Sequence, residues 1–408
     1  ADAYCAATHR PCGAPGHSFA TLSALGCACR LPIATQVIYG INVSSSYRLT
    51  SFRSSDEESE TMATSSSAPQ TVPPQAVVMQ MAMGGWVARA ISEISKLNIP
   101  DTLQVNGPMT AAQLAGGLDV NTGALERVMR ACASVGLFAE DAEGRFGPTP
   151  LSDVLTASAP GSVKMVAQEV GGTWLRMLGE LSESIRTGEP QSHRVFGMGW
   201  WDWLNANPKE LANFGEAMKA NSQNSMRGVL DNCDFAGATK IADLGGGFGH
   251  MVIALLEKYP GLNGILVDLP ELIPVAKENN PAPDAVARRL EYVGQNIFER
   301  VPPADTYIMK HIIHDWDDEH CLRLLRNCHH SMQGAGRLIC VDSVLPPMGD
   351  SSGTPAKFLD LLMMAGIRGK ERTLQQWEDL YAATGFRVTS VIPLQDNFGT
   401  SIVEGEKA

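Results

Sequence analysis

Residues 240–250 read Lys240-Ile241-Ala242-Asp243-Leu244-Gly245-Gly246-Gly247-Phe248-Gly249-His250, and this stretch decides the fold. A short apolar strand runs into a glycine turn, and a helical apolar pattern follows at Met251, Ile253, Ala254, Leu255 and Leu256. Such a strand-turn-helix opens a doubly wound α/β sheet, whose ligands sit at the carboxyl ends of the strands. Side chains in the turn would hold a ligand off the backbone, and glycine removes that obstacle. A second apolar strand, Gly264–Asp268, ends in an acid about twenty residues beyond the glycines, where a carboxylate takes the ribose hydroxyls of an adenosine cofactor. The spacing Gly245-x-Gly247-x-Gly249 differs from the G-x-G-x-x-G of a dinucleotide site, and no P-loop Lys follows. The turn therefore suits an adenosine cofactor without a pyrophosphate, such as S-adenosylmethionine. The plainer alternative is a tight strand-helix turn with no ligand.

Working outward from this unit, the α/β pattern continues to the end of the chain. A helix led by Pro270 precedes a strand at Leu290–Val293, and Thr306–Lys310 is the next strand. A helix from Asp317 to Met332 buries Cys321, Leu324, Leu325 and Cys328, and Arg337–Asp342 is the fifth strand. Apolar runs near 387–392 and 400–404 form an antiparallel hairpin at one edge, for seven strands in all.

Upstream, apolar residues from Val77 to Asn98 recur at helical spacing (Met79, Met83, Val87, Ile91, Ile94, Leu97), and Pro100 stops that helix. Thr110 and Gln113 form a capping box, and Asn121 or Thr122 starts a helix bearing Leu125, Val128, Met129 and Cys132. Leu137–Glu140 and Arg145–Gly147 flank a turn at 141–144. This is the order of a winged helix. DNA binding is disfavoured, because the wing sets only Arg145 against Glu140, Asp141 and Glu143. Residues 151–235 read as further helices, including Glu210–Ser222 with Ser222 near its end. The aromatic segment Phe196–Leu204 contains Trp200 and Trp201, which either fill a core or wall a ligand site.

Composition bounds the rest. At 408 residues the chain holds two domains plus any tails. A net charge of −12 argues against nucleic acid as a partner. No apolar run reaches the ~18 residues of a membrane span. Nine scattered cysteines fit a reduced interior, hence a cytoplasmic protein. Residues 1–75 differ from the rest: before Asp56 they contain four Arg, no Lys and the single acid Asp2. That composition resembles an organelle transit peptide. The alternatives are a disordered tail or sequence upstream of a start at Met62. The expected divisions are an extension over 1–75, a winged-helix domain over 76–160, a helical linker and substrate-capping region over 161–235, and a cofactor-binding domain over 236–408.

The densest polar cluster is Lys310-His311-Ile312-Ile313-His314-Asp315-Trp316-Asp317-Asp318-Glu319-His320. It matches neither H-E-x-x-H nor an EF-hand, and no metal is expected there. Asp317, Asp318 and Glu319 suit a helix N-terminus, where carboxylates complement the dipole. His314 remains, at the carboxyl end of a strand. An imidazole there can accept a proton from a phenol or alcohol.

Four stretches occur in order at compatible spacing: Asp243–Gly249, Val267-Asp268-Leu269-Pro270, Met309-Lys310-x-x-x-His314-Asp315-Trp316, and Gly369-Lys370-Glu371-Arg372-Thr373. Together they resemble the small-molecule O-methyltransferases of the caffeic acid and hydroxyindole type, over roughly residues 77–405. The resemblance implies a Rossmann-like methyltransferase domain behind a winged-helix dimerisation domain, a homodimer, S-adenosylmethionine as donor, and a small hydroxyl compound as acceptor without a metal. It implies cofactor contacts from Gly245, Asp268, Asn296, Ile297, Lys310 and Ser222. It makes His314 the general base, with Asp342 and Glu371 orienting it and Asp315 on the acceptor. Trp200, Trp201, Met363, Met364 and Ile367 become pocket candidates, the last three on a Lys357–Ile367 helix, although each can equally be core. Two departures stand out. Asp342 replaces the longer Glu of plant members, so reaching His314 calls for a backbone shift or a water. Asn296 replaces the usual acid, which weakens cofactor binding by about 1 kcal/mol. The rivals are the same fold used for N-methylation, decarboxylation or hydroxylation, and a non-catalytic winged-helix regulator.

Overall fold

The computed structural model describes residues 72–408 apart from Asn397. The expectations for 1–71, a transit segment among them, lie outside the described residues. After three short strands, β1 (Met109–Thr110), β2 (Ala139–Glu140) and β3 (Arg145–Gly147), the strands of the chain's α/β part, β4 (Lys240–Leu244), β5 (Asn263–Asp268), β6 (Leu290–Gly294), β7 (Ala304–Lys310) and β8 (Met332–Leu345), run parallel. They are ordered 6-5-4-7-8, and the antiparallel pair β10 (Phe386–Pro393) and β11 (Thr400–Lys407) extends the sheet beyond β8. Those seven strands match the expected count; a short β9 (Arg372–Thr373) pairs with the end of β8. From β4 the chain winds outward through β5 and β6, then returns to place β7 on the other side of β4. The reversal leaves a crevice at the carboxyl ends of β4 and β7. Gly245 leaves one of those ends and Lys310 closes the other, so the glycine turn and the His314 segment meet because of the winding order.

Each central strand is sealed on both faces. Tyr307, Met309, Leu338 and Cys340 belong to one core layer with the Asp318–Ser331 helix, and Ile241, Leu266, Ile308 and Ile339 belong to the other with the His250–Lys258 helix. That burial explains the near-continuous apolar runs in the sequence. The strand containing Asp342 is longer than expected, Met332–Leu345 rather than Arg337–Asp342, because it pairs with β7 on one side and β11 on the other.

In the amino-terminal part, Asn121 and the Thr110–Gln113 capping box start their helices as expected. Three short strands, Met109–Thr110, Ala139–Glu140 and Arg145–Gly147, form the wing. Arg145 pairs with Asp141 and Glu143, and Arg130 pairs with Glu140. The single helix expected over Val77–Asn98 is two, Pro74–Ala82 and Gly84–Lys96. Gly84 and Gly85, poor helix formers, follow the break at Met83. Pro100 does not stop the helix. The chain turns at Asn98, whose φ is +55, and Pro100 sits in the first turn of the Ile99–Asn106 helix, where its missing N–H is tolerated. The helix holding Ser222 spans Pro208–Asn232, so Ser222 lies mid-helix rather than near an end.

Candidate active site

The glycine turn sets one wall of the site. Gly245, Gly247 and Gly249 all have positive φ, between +57 and +77. A Cβ on Gly245 would lie 2.4 Å from Ile312 Cδ1, so an alanine there would displace the Ile312 side chain and strain a backbone at φ +67. Nothing lies within 4 Å of a Cβ built on Gly247, which faces the open cleft. The Gly247 amide donates to Asp268 Oδ2 and the Leu269 amide to Oδ1, both at 2.8 Å, which fixes the carboxylate's orientation at the end of β5. Burial pushes the Asp268 carboxyl up, against those two hydrogen bonds. Beside it, Asp243 is fully buried yet borders the cleft, and its Oδ2 has no partner among the described residues. Burial, with Asp268 adding to it, raises Asp243 to about 7.

The cleft has a volume of about 710 Å³. Gly245, Asp268, Asn296, Ile297, Lys310 and Ser222 all border it. Two of these are committed locally: Asn296 Oδ1 accepts from the Phe298 amide at 3.0 Å, and Ser222 Oγ donates to Met218 O at 2.5 Å. Burial pushes Lys310 down while the surrounding acids, Asp342 and Asp243 foremost, pull it up. Much of the remaining lining is aromatic and apolar. Trp200, Trp201, Met363 and Ile367 border the cleft with Trp174 and Phe214. Trp200 and Met363 are core as well, since they pack in one buried cluster with Leu204 and Leu359. Met364 does not border the cleft, a correction to the sequence reading. It follows Met363 on the Thr354–Gly366 helix, and one residue turns a helix by about 100°, carrying the side chain off that face.

His314 sits in a 3-10 turn, Ile313–Asp315, directly after β7. Its Nδ1 lies 2.8 Å from Glu371 Oε1, and its Nε2 lies 3.3 Å from Asp315 Oδ1. Asp342 is not bonded to it: Oδ1 is 3.9 Å from Nδ1, and both Asp342 oxygens lack partners among the described residues. Asp is one methylene shorter than Glu, and β8 resists shifting to compensate because it is paired with β7 up to Val341 and with β11 on its other side, where Asp342 lies opposite Ser401. The orienting contact therefore comes from Glu371 alone. Burial alone would push the imidazole down, but Glu371, Asp315 and Asp342 outweigh it and lift His314 from 6.5 to about 10. Burial raises Asp342 to about 7 and Asp315 to about 6, in both cases against the pull of His314.

The segment before and within β9 clamps the His314 turn. The Lys370 amide donates to His314 O at 2.9 Å, and Arg372 Nη1 and Nη2 donate to Ile313 O and Trp316 O at 2.9 and 3.0 Å. A Cβ on Gly369 would lie 2.0 Å from His314 O. Asp360 Oδ1 accepts from the Glu371 amide at 2.8 Å. The Gly369–Thr373 stretch was recognisable in the sequence without roles for Gly369 and Arg372. Nothing local marks Asp360. As expected, Asp317 caps the following helix, with Oδ1 accepting from the His320 amide at 3.0 Å. Among the described residues no group of three or more His, Cys, Asp or Glu side chains is placed to hold a metal ion.

Comparison with known proteins places this geometry. Residues 178–387 match the family model of an O-methyltransferase domain, and residues 79–158 match that of an O-methyltransferase dimerisation domain. The chain is 33% identical over 334 residues to the phenazine O-methyltransferase PhzM of Lysobacter antibioticus, a match covering 82% of this chain and 96% of that protein. The structure of the mitomycin 7-O-methyltransferase MmcR superposes with a TM-score of 0.75 at 32% identity, over 82% of this chain and 98% of the other. The fold also resembles the N,N-8-amino-8-demethyl-D-riboflavin dimethyltransferase RosA of Streptomyces davawensis, at 29% identity and a TM-score of 0.66, covering 83% of this chain and 100% of that one.

Proposed function

Since this chain belongs to the O-methyltransferase family, we propose that it transfers a methyl group from S-adenosylmethionine to the hydroxyl of a small aromatic metabolite, with His314 as general base and no metal. The observation that carries the reading is the His314 imidazole, bordering the same cleft as the Gly245–Gly247 turn, with its Nδ1 held by Glu371 at 2.8 Å. The residues present fit the cofactor. Asp268 stands pre-oriented to accept from ribose hydroxyls, the bare Gly247 leaves a cradle that a side chain would narrow, and Asp243 Oδ2 is a buried acceptor without a partner among the described residues. When bound, the cofactor supplies an electrophilic methyl group on a sulfonium.

The protein's own work is proton management and orientation. Glu371 accepts a hydrogen bond from Nδ1–H and so leaves Nε2 as the basic nitrogen. A phenol ionises near pH 10, as tyrosine does, so transfer to an ordinary histidine near 6.5 would be uphill by about 5 kcal/mol. The carboxylates raise His314 to about 10 and make the transfer nearly level. Apolar and aromatic side chains opposite hold a ring and exclude water. The same buttressed base favours oxygen over nitrogen as the acceptor, because amines need less help in losing a proton.

Three expectations follow. Labelled S-adenosylmethionine should place its methyl on an acceptor oxygen across a panel of phenols, hydroxyindoles and flavonoids, with no effect of EDTA; binding of the cofactor with no transfer would move weight to N-methylation or to a regulator. Because the folded-state pKa of His314 lies above 6.5, the imidazole carries a proton at neutral pH and gains base character as pH rises. In the same assay kcat/KM should therefore climb about tenfold per pH unit from pH 7 and level off near pH 10, and a plateau already reached at pH 7 would contradict the assignment. Asn296→Asp should tighten the cofactor about fivefold, measured as its Kd, because a charged acceptor bonds more strongly than an amide; an unchanged Kd counts against a cofactor contact there.

A homodimer is part of this reading. It is supported by the dimerisation-domain match and by apolar side chains left exposed on the first two helices, among them Met79 at 58% and Trp86 at 75%. No helix among the described residues is long and apolar enough to cross a membrane. Cys132, Cys233, Cys321, Cys328 and Cys340 are free and buried, which supports a reducing compartment such as the cytoplasm.

A further inference from the structure

Three imidazoles border the cleft, those of His250, His311 and His314, and the mechanism above uses only the last. The His311 and His314 rings stand 4.9 Å apart between centroids, inclined at 39°. His311 has a φ of +54, a left-handed conformation that is strained for a side chain and free for glycine. The turn itself is required. The His311 amide donates to Val341 O at 3.0 Å, and the next residue, Ile312, reaches into the space left by the bare Gly245. Glycine at 311 would make the same turn without strain, so the imidazole is held there against a backbone preference. Its Nε2 lies 3.4 Å from Thr400 Oγ1, and the residue borders the cleft. Burial, together with the charges of Lys310 and His314, holds this ring well below the ordinary 6.5. A neutral ring offers one N–H donor and one lone pair, so it recognises a polar atom rather than competing as a second base.

We propose that His311 sets acceptor specificity by hydrogen-bonding a second oxygen next to the hydroxyl that His314 deprotonates, so that the preferred acceptors are ortho-dioxygenated aromatics. This assignment rests on the O-methyltransferase reading. Oxygens on adjacent ring carbons lie within hydrogen-bond distance of each other, and imidazole centres 4.9 Å apart can each take one of them. A monophenol leaves the His311 nitrogen facing apolar ring carbon and forfeits that bond.

The test compares 1,2-dihydroxynaphthalene with 2-naphthol, a matched pair differing by one hydroxyl. Binding is read by quenching of the tryptophans in the cleft with the demethylated cofactor present, and kcat/KM is measured for both compounds on the full-length enzyme, His311→Gly and His311→Asn. The unaltered enzyme should favour the diphenol about fivefold to tenfold. His311→Gly, which relaxes the backbone, should bring that ratio to near one. His311→Asn, which tolerates the same φ and keeps an amide, should retain part of it. A ratio near one in the unaltered enzyme, a ratio that survives His311→Gly, or an equal loss of both ligands in the variant would overturn the assignment. A binding preference that vanishes in His311→Gly, in an enzyme that methylates neither compound, would sustain it while sinking the O-methyl transfer reading.

Discussion

His314→Ala lowers kcat by about 10²–10⁴ while the Kd for S-adenosylmethionine stays within about twofold, because the base is lost but the cofactor's cradle is not. The cradle is built from the Gly245–Gly249 turn and from Asp268, whose carboxylate is held by the Gly247 and Leu269 amides. None of those contacts passes through the imidazole. The cavity left by the ring is bordered by Asp315, Asp342 and Glu371, whose oxygens lie 3.3, 3.9 and 2.8 Å from the imidazole nitrogens. Some loss of stability at high pH accompanies the change, since three buried carboxylates then face each other without the imidazolium. The measurement is single-turnover transfer at neutral pH with cofactor binding followed separately. Substantial residual transfer would remove His314 as the base, and lost cofactor binding would mean that the ring shapes the cradle.

Gly369→Ala is the second large effect, and it comes from a residue with no functional group. The added methyl would lie 2.0 Å from His314 O and 2.9 Å from Asp315 C, both backbone atoms, so the clamp and the His314 turn must separate. The Lys370 amide, bonded to His314 O at 2.9 Å, moves with the clamp. A displacement of about 1 Å at a reacting group costs on the order of 10²-fold in rate. We expect kcat to fall about 100-fold, with a stability loss of about 1–3 kcal/mol from the overpacking and an almost unchanged cofactor Kd. Near-normal turnover in a folded variant would show that the clamp yields without disturbing the base.

These two residues mark how far the sequence could be read. The glycine turn, the acid at the end of β5 and the histidine after β7 were legible because each lies within a few residues of a periodic apolar strand. The winding of the sheet then brings them together without further information. What escaped depends on contacts between distant segments. Asp360 reaches the Glu371 amide, Arg372 reaches the carbonyls of Ile313 and Trp316, and Gly369 permits the approach, yet none carries a local signature of its role. Met364 was misassigned for a different reason: a Met363-Met364 pair fixes the helix but not its phase, and the phase is set by packing against Trp200 and Met177. The gap at Asp342 was foreseeable from side-chain length, whereas the rigidity that prevents its closing comes from β8 being an interior strand.

The two walls of the cleft come from different stretches of chain. The proposed base His314, its Glu371 partner and the proposed cofactor contacts at Gly245 and Asp268 all lie between Gly245 and Glu371, whereas Trp174, Trp200, Trp201 and Phe214 precede β4. The size of the chamber is therefore inheritable separately from the reaction: exchanges among the upstream aromatics resize it without touching a side chain bonded to His314. The Thr354–Gly366 helix is the exception. Its Met363 faces the acceptor wall while its Asp360 holds the Glu371 amide, so a lineage that alters this helix changes its substrate and its chemistry in a single step.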